Sequence, residues 1–151
     1  MAKPLTTQSD VYSLGVVLYE LLAGETPSSN ASIVALVERA VRETEIPGPE
    51  KFVTESAAAE RGLTVQQLRA RIAGDLSVIV LKCLRTEPEQ RYASVRILAD
   101  EIERFLTGRP ITARPQTVLY RLQKYAQRNA GTVSVTAVLA VALVAALGYA
   151  F

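Results

Sequence analysis

The side chains that could move a proton or hold a metal are few and scattered along the chain. There is no histidine, which removes the commonest general base and the commonest metal ligand near neutral pH. A single cysteine, Cys83, excludes an internal disulfide and any metal site built from cysteines. It lies in the apolar run SVIVLKCL at 77–84, where a small buried hydrophobe is the expected role. Glu20, Glu87, Glu89 and Glu101 are candidate carboxylates, but only local spacing groups them. Charged residues on helices usually form a solvated face. The three aspartates, Asp10, Asp75 and Asp100, stand far apart, and the eight glycines form no GxGxxG phosphate cradle. No catalytic, cofactor-binding or metal-ligating residue is therefore assigned.

The elements that would position these residues read as helices. Residues 10–23 carry Val11, Tyr12, Leu14, Val16, Val17, Leu18, Tyr19, Leu21 and Leu22 on nearly every face. A helix apolar all round, and too short to span a bilayer, is expected at the centre of a core. Ser9 or Asp10 can cap its start and Gly24 its end. A second helix is expected at 32–43, then a break at 46–49 and a loose, alanine-rich stretch to Gly62. Thr64 and Gln67 have capping-box spacing and open a short helix through Arg71. Asp75 can cap a helix over 76–84. After a turn at 86–92, Ser94 caps an amphipathic helix with Val95, Leu98, Ile102 and Phe105 on one stripe, closed by Gly108 and Pro110. Residues 111–115 read as an extended linker. Residues 117–127 read as a helix with Leu119, Leu122 and Tyr125 on one side and Arg121, Lys124 and Arg128 exposed.

Charge divides the chain unevenly. The net charge is +2, too small to point to nucleic acid. No charged residue lies beyond Arg128, and residues 132–151 form an almost unbroken apolar run. About 20 apolar residues cross a bilayer as a helix, so this run is expected to be transmembrane. Lys124 and Arg128 just before it should stay on the cytoplasmic side. The polar first ten residues show no signal peptide.

Two strings then stand out in order. SDVYSLGVVLYELLAG at 9–24 resembles the central helix of the large lobe in eukaryotic-type (Hanks-type) protein kinases. IVLKCLRTEPEQRY at 79–92 resembles that family's late motif, a helix running into a DPxxR-type turn. GDL at 74–76, RYAS at 91–94, FLTGRP at 105–110 and ARP at 113–115 are similar to bacterial serine/threonine kinases, often followed by one membrane span. The resemblance runs from about Pro4 to the tail.

The resemblance implies an all-α fold: the helical C-lobe subdomain of the protein kinase fold, followed by one transmembrane helix. Residues 1–108 would be a partial kinase domain, 109–131 a juxtamembrane linker and 132–151 the transmembrane helix, with the soluble part cytoplasmic. By resemblance Asp10 holds the catalytic loop through backbone hydrogen bonds, although a helix-start carboxylate can also be only a cap. Arg91 pairs with the glutamate of an Ala-Pro-Glu motif; its plainer reading is a solvated surface arginine. Gly15 lies at a close packing point. An intact parent would use ATP and Mg²⁺ to phosphorylate Ser or Thr. Its Gly-rich loop, strand lysine, catalytic-loop aspartate and DFG aspartate have no counterpart here, so this chain is expected to be inactive alone and to bind no cofactor itself. The partners expected are the membrane and the missing kinase portion or another protein. Without them the central helix would expose apolar surface and the chain would be marginally folded. The alternative is a non-catalytic, membrane-anchored protein-binding module.

Overall fold

The computed structural model describes residues 7–26, 46–131 and 134. The helix expected at 32–43 lies outside them, as does the apolar run 132–151 but for Ser134. Among the described residues the elements are the α-helices α1 (Thr7–Ala23), α2 (Glu55–Ala59), α3 (Val65–Ile72), α4 (Asp75–Cys83), α5 (Val95–Leu106) and α6 (Val118–Arg128). Two 3₁₀ turns, Pro49–Phe52 and Pro88–Gln90, punctuate them. Among the described residues there is no strand, and no helix is long and apolar enough to cross a membrane.

α1 ends where its sequence says it must. Gly24 adopts φ 88° and donates to the Glu20 carbonyl at 2.8 Å, a left-handed stop that glycine reaches without strain. The last carbonyls are met from outside the helix. Thr54 N–H donates to Ala23, and the Arg61 guanidinium to Leu21. Asp10 is not the cap, because the helix already runs from Thr7 and places it within the first turn. Nor is α1 enclosed on all sides. It buries Val11, Gly15, Tyr19 and Ala23, a stripe at every fourth residue. Tyr12, Leu14, Val17 and Leu21 are exposed, Val17 at 59% and Leu21 at 60%.

The buried stripe packs chiefly on α4. Val11 joins Ile79, Cys83, Tyr92, Leu98 and Ile111 in one cluster, and Tyr19 and Ala23 join Val80 and Leu84 in a second. A third cluster of Val53, Ala57, Ala58, Leu68 and Ile72 lies between α2 and α3. α2 was expected as loose chain. It forms because Thr54 accepts from the Ala57 amide at 3.2 Å, and Ala57 and Ala58 are small enough to bury completely against α3.

The other caps follow the sequence, with one exception. The Thr64–Gln67 capping box makes both of its bonds, and Ser94 and Thr117 cap α5 and α6. α4 instead starts at Gly74, which has φ 97° and no side chain to offer. Asp75 is the first residue inside that helix, and its carboxylate is committed elsewhere.

Candidate functional site

Asp75 and Glu101 are the two buried carboxylates among the described residues, and both grip the chain that follows α5. Asp75 Oδ2 receives the Tyr120 hydroxyl at 2.9 Å and the Lys124 ammonium at 2.8 Å, and Oδ1 lies 3.4 Å from the Arg114 guanidinium. Tyr120 in turn accepts the Ile111 amide at 3.1 Å. Burial raises the Tyr120 phenol above its ordinary value, with the Asp75 charge adding to the rise, so it stays protonated as the donor to Asp75.

Glu101 sits one turn after Leu98 on the inward stripe of α5. Its two oxygens accept the Thr112 amide at 2.7 and 3.0 Å, and Oε2 also accepts the Ala113 amide at 2.9 Å and the Tyr92 hydroxyl at 3.4 Å. Arg104 stands 3.9 Å away. A buried carboxylate needs such donors to offset its lost hydration. Burial, and then the Glu101 charge, hold the Tyr92 phenol well above its usual range.

These contacts revise three sequence expectations. The stretch expected to run as a linker inserts Ile111 into the core, fully buried. Lys124, expected in solvent with Arg121 and Arg128, is only 17% exposed because Asp75 holds it. Glu101 is not part of a solvated face.

The residues singled out by sequence lie along α1 and the turn beneath it. At Gly15 a β-carbon would fall 2.5 Å from Cys83 Cβ and 3.2 Å from Leu84 Cδ2, so the backbones of α1 and α4 meet as closely as glycine permits. Arg91 lies over the Tyr12 ring, 4.8 Å from its centre. Its guanidinium donates to the carbonyls of Arg85 at 2.7 Å, Thr86 at 2.9 Å and Gln8 at 3.2 Å. It therefore ties the start of α1 to the turn after α4. Asp10 is exposed and has no hydrogen-bond partner among the described residues. Burial pushes the Cys83 thiol up to about 12, which leaves it inert at neutral pH.

The arrangement holds chain segments in place and presents surface; it groups no reacting side chains. Among the described residues no three acidic or thiol groups come together around a metal-sized space. The two buried carboxylates spend their oxygens on amides, hydroxyls and cations of this chain, so they do not fit a Mg²⁺–ATP site. Two open cavities lie among the described residues. One of about 460 Å³ lies between Ile46 and the end of α4, and the other, of about 430 Å³, lies along α6 beside Gly108 and Pro110.

Comparison with known proteins gives the same family as the two sequence strings. The family model for protein tyrosine and serine/threonine kinase matches residues 1–100. The serine/threonine-protein kinase PknB of Mycobacterium tuberculosis (strain H37Rv) is 37% identical over 103 residues, covering 68% of this chain and 14% of the relative. PknB of Mycobacterium leprae is 36% identical over the same length. The serine/threonine-protein kinase PknD of Chlamydia felis is 31% identical over 117 residues, 78% of this chain and 10% of the relative. The chain thus spans about a seventh or less of the curated relatives it matches.

Proposed function

We propose, from the premise that this chain belongs to the protein tyrosine and serine/threonine kinase family, that it is the C-terminal helical part of a membrane-anchored serine/threonine protein kinase. In this reading the ATP, the Mg²⁺ and the reacting residues belong to the remainder of the parent enzyme. This chain supplies the platform on which they are positioned.

The observation that carries the reading is the outer face of α1. Leu14, Val17 and Leu21 are exposed on the side of the helix that also carries Asp10, which has no hydrogen-bond partner among the described residues. Contiguous exposed apolar side chains mark a surface made to be covered. A catalytic loop lying across them would bury the apolar groups and bring backbone amides to the Asp10 carboxylate, the role the family resemblance implies. Arg91 has spare capacity for the glutamate of an Ala-Pro-Glu motif, because three of its five donors are used. Phosphoryl transfer depends on positioning and charge stabilisation, so a platform that fixes the catalytic loop serves the reaction without touching substrate. Residues 132–151 would hold the assembly to the membrane, with the kinase portion in the cytoplasm.

The test is an immunoblot of source-cell membranes with an antibody raised to residues 89–106. A membrane-retained band several times larger than 16.4 kDa is expected. A band at 16.4 kDa alone would replace this reading with that of a non-catalytic, membrane-anchored binding module.

A further inference from the structure

α6 is held on one side and bare on the other. Tyr120 and Lys124 are fixed to Asp75, which sets the rotation of the helix about its axis. At 3.6 residues per turn, Val118, Leu122 and Tyr125 then fall on the side away from that anchor, with Leu119 beside them. Their exposures are 83%, 60%, 53% and 75%, and the helix buries no residue. Val118, Leu122 and Tyr125 also line the open cavity of about 430 Å³ along α6, together with Arg121, Lys124 and Arg128, and Gly108 and Pro110 after α5 form its other wall.

The charge around this face has one sign. Residues 109–131 contain five arginines and lysines and no acidic residue. Arg109 is paired with Glu103, and Arg114 and Lys124 with Asp75. That leaves Arg121 and Arg128 exposed at the rim of the apolar face. A second copy of the chain would bring arginines against arginines. The chain's own connectivity also limits what can lie opposite. Three residues, 129–131, lie between Arg128 and position 132, where the apolar run begins, so the two are at most about 14 Å apart.

We propose that α6 lies along the surface of a bilayer rich in anionic phospholipid. Its apolar face enters the boundary between headgroups and acyl chains, and Arg121 and Arg128 extend to the lipid phosphates. A helix with an apolar face and basic flanks binds such a surface in this way. The opposite side of the helix stays locked to the lobe through Asp75, so the lobe is held against the membrane in one orientation. The inference rests on the reading that residues 132–151 cross that membrane.

The sequence contains no tryptophan, so one placed at Leu122 reports alone. The full chain carrying Leu122→Trp is reconstituted into phosphatidylcholine vesicles with and without phosphatidylglycerol, using brominated lipids as quenchers. Val118→Trp is a second probe on the face, and Gln127→Trp reports from the opposite side. The expected result is blue-shifted, quenched emission at Leu122→Trp and Val118→Trp that strengthens with phosphatidylglycerol, while Gln127→Trp remains unquenched. Neutralising charge with Arg121→Gln and Arg128→Gln should lower the surface-bound ratio by about thirtyfold. Resistance to carbonate extraction is scored separately and reports the membrane span. Carbonate-resistant protein with equal quenching at positions 122 and 127 overturns the proposal and leaves the span standing. Carbonate-extractable protein that still shows phosphatidylglycerol-dependent quenching at 122 supports the proposal and removes the span. A blue shift without lipid quenching that grows with protein concentration would mean that a second copy covers the face, and would also overturn it.

Discussion

Replacing Gly15 by alanine sets two known energies against each other. Alanine favours a helix interior over glycine by roughly 0.5–1 kcal/mol, so propensity alone makes Gly15→Ala stabilising. The packing says the opposite. The new β-carbon would lie 2.5 Å from Cys83 Cβ, whereas carbon atoms rest at about 3.5–4.0 Å. Leu84 Cδ2, at 3.2 Å, can yield by turning its side chain. Cys83 Cβ cannot, because it is fixed to the α4 backbone. The helices must therefore part by about 1 Å, loosening the two clusters that α1 shares with α4. Overpacking of this kind costs about 1–3 kcal/mol, so the net change should be a loss of about 1–2 kcal/mol, a factor of roughly 5–30 in the folded ratio. Urea unfolding of the purified chain in mild detergent, followed by circular dichroism, measures it. Cys83→Gly removes the opposing atom, so in a double-mutant cycle Gly15→Ala should cost no more than half as much on the Cys83→Gly background as in the parent. Cys83→Ala keeps that atom and should leave the cost unchanged. A Gly15→Ala chain more stable than its parent would refute the close approach of α1 and α4.

Two further outcomes follow from the buried groups. Glu101→Ala removes the acceptor of the Thr112 and Ala113 amides and of the Tyr92 hydroxyl, and should cost about 1–3 kcal/mol; hydrogen exchange should show both amides losing protection, and unchanged protection would rule out the Glu101 grip. Cys83 should resist thiol reagents at pH 8 until the chain unfolds. Its folded value is raised to about 12 from 9.0, so between those limits the unfolded chain releases a proton that the folded chain keeps, and stability should fall by up to about 1.4 kcal/mol per pH unit. Unfolding midpoints that stay level from pH 9 to 12 would contradict this.

What could be read from the sequence is what is decided within a few residues. The Thr64–Gln67 box, the Ser94 cap and the Gly24 stop each close a bond three or four positions away. The order of the kinase-like strings likewise needs no tertiary information. Asp75 and Glu101 could not be read in that way, because a cap and a surface charge look the same until the partner is known. The partners of Asp75 lie 39 to 49 positions on, at Arg114, Tyr120 and Lys124. Glu101 did leave a trace. It shares the inward stripe of α5 with Leu98 and Ile102, where a solvated carboxylate has no place. The exposed outer face of α1 agrees with the apolar surface expected without the remaining kinase portion, because apolar residues all round imply burial only when the covering chain is present.

The grip on residues 111–124 also explains why carboxylates stand where apolar residues would cost less to bury. An apolar contact would hold Ile111 in the core equally well, but it does not distinguish one register from its neighbour. Glu101 accepts from two successive amides, Thr112 and Ala113, and a slip of two residues either way would bring Pro110 or Pro115, which has no N–H, against it. Asp75 adds a second fixed point, because Tyr120 and Lys124 can meet it together only when α6 begins where it does and presents that side. The acidic pair therefore specifies one placement of the segment. The direction in which the bare face of α6 points is thus decided by two charges buried in α4 and α5, and a neutral substitution at either should blur that direction before it unfolds the lobe.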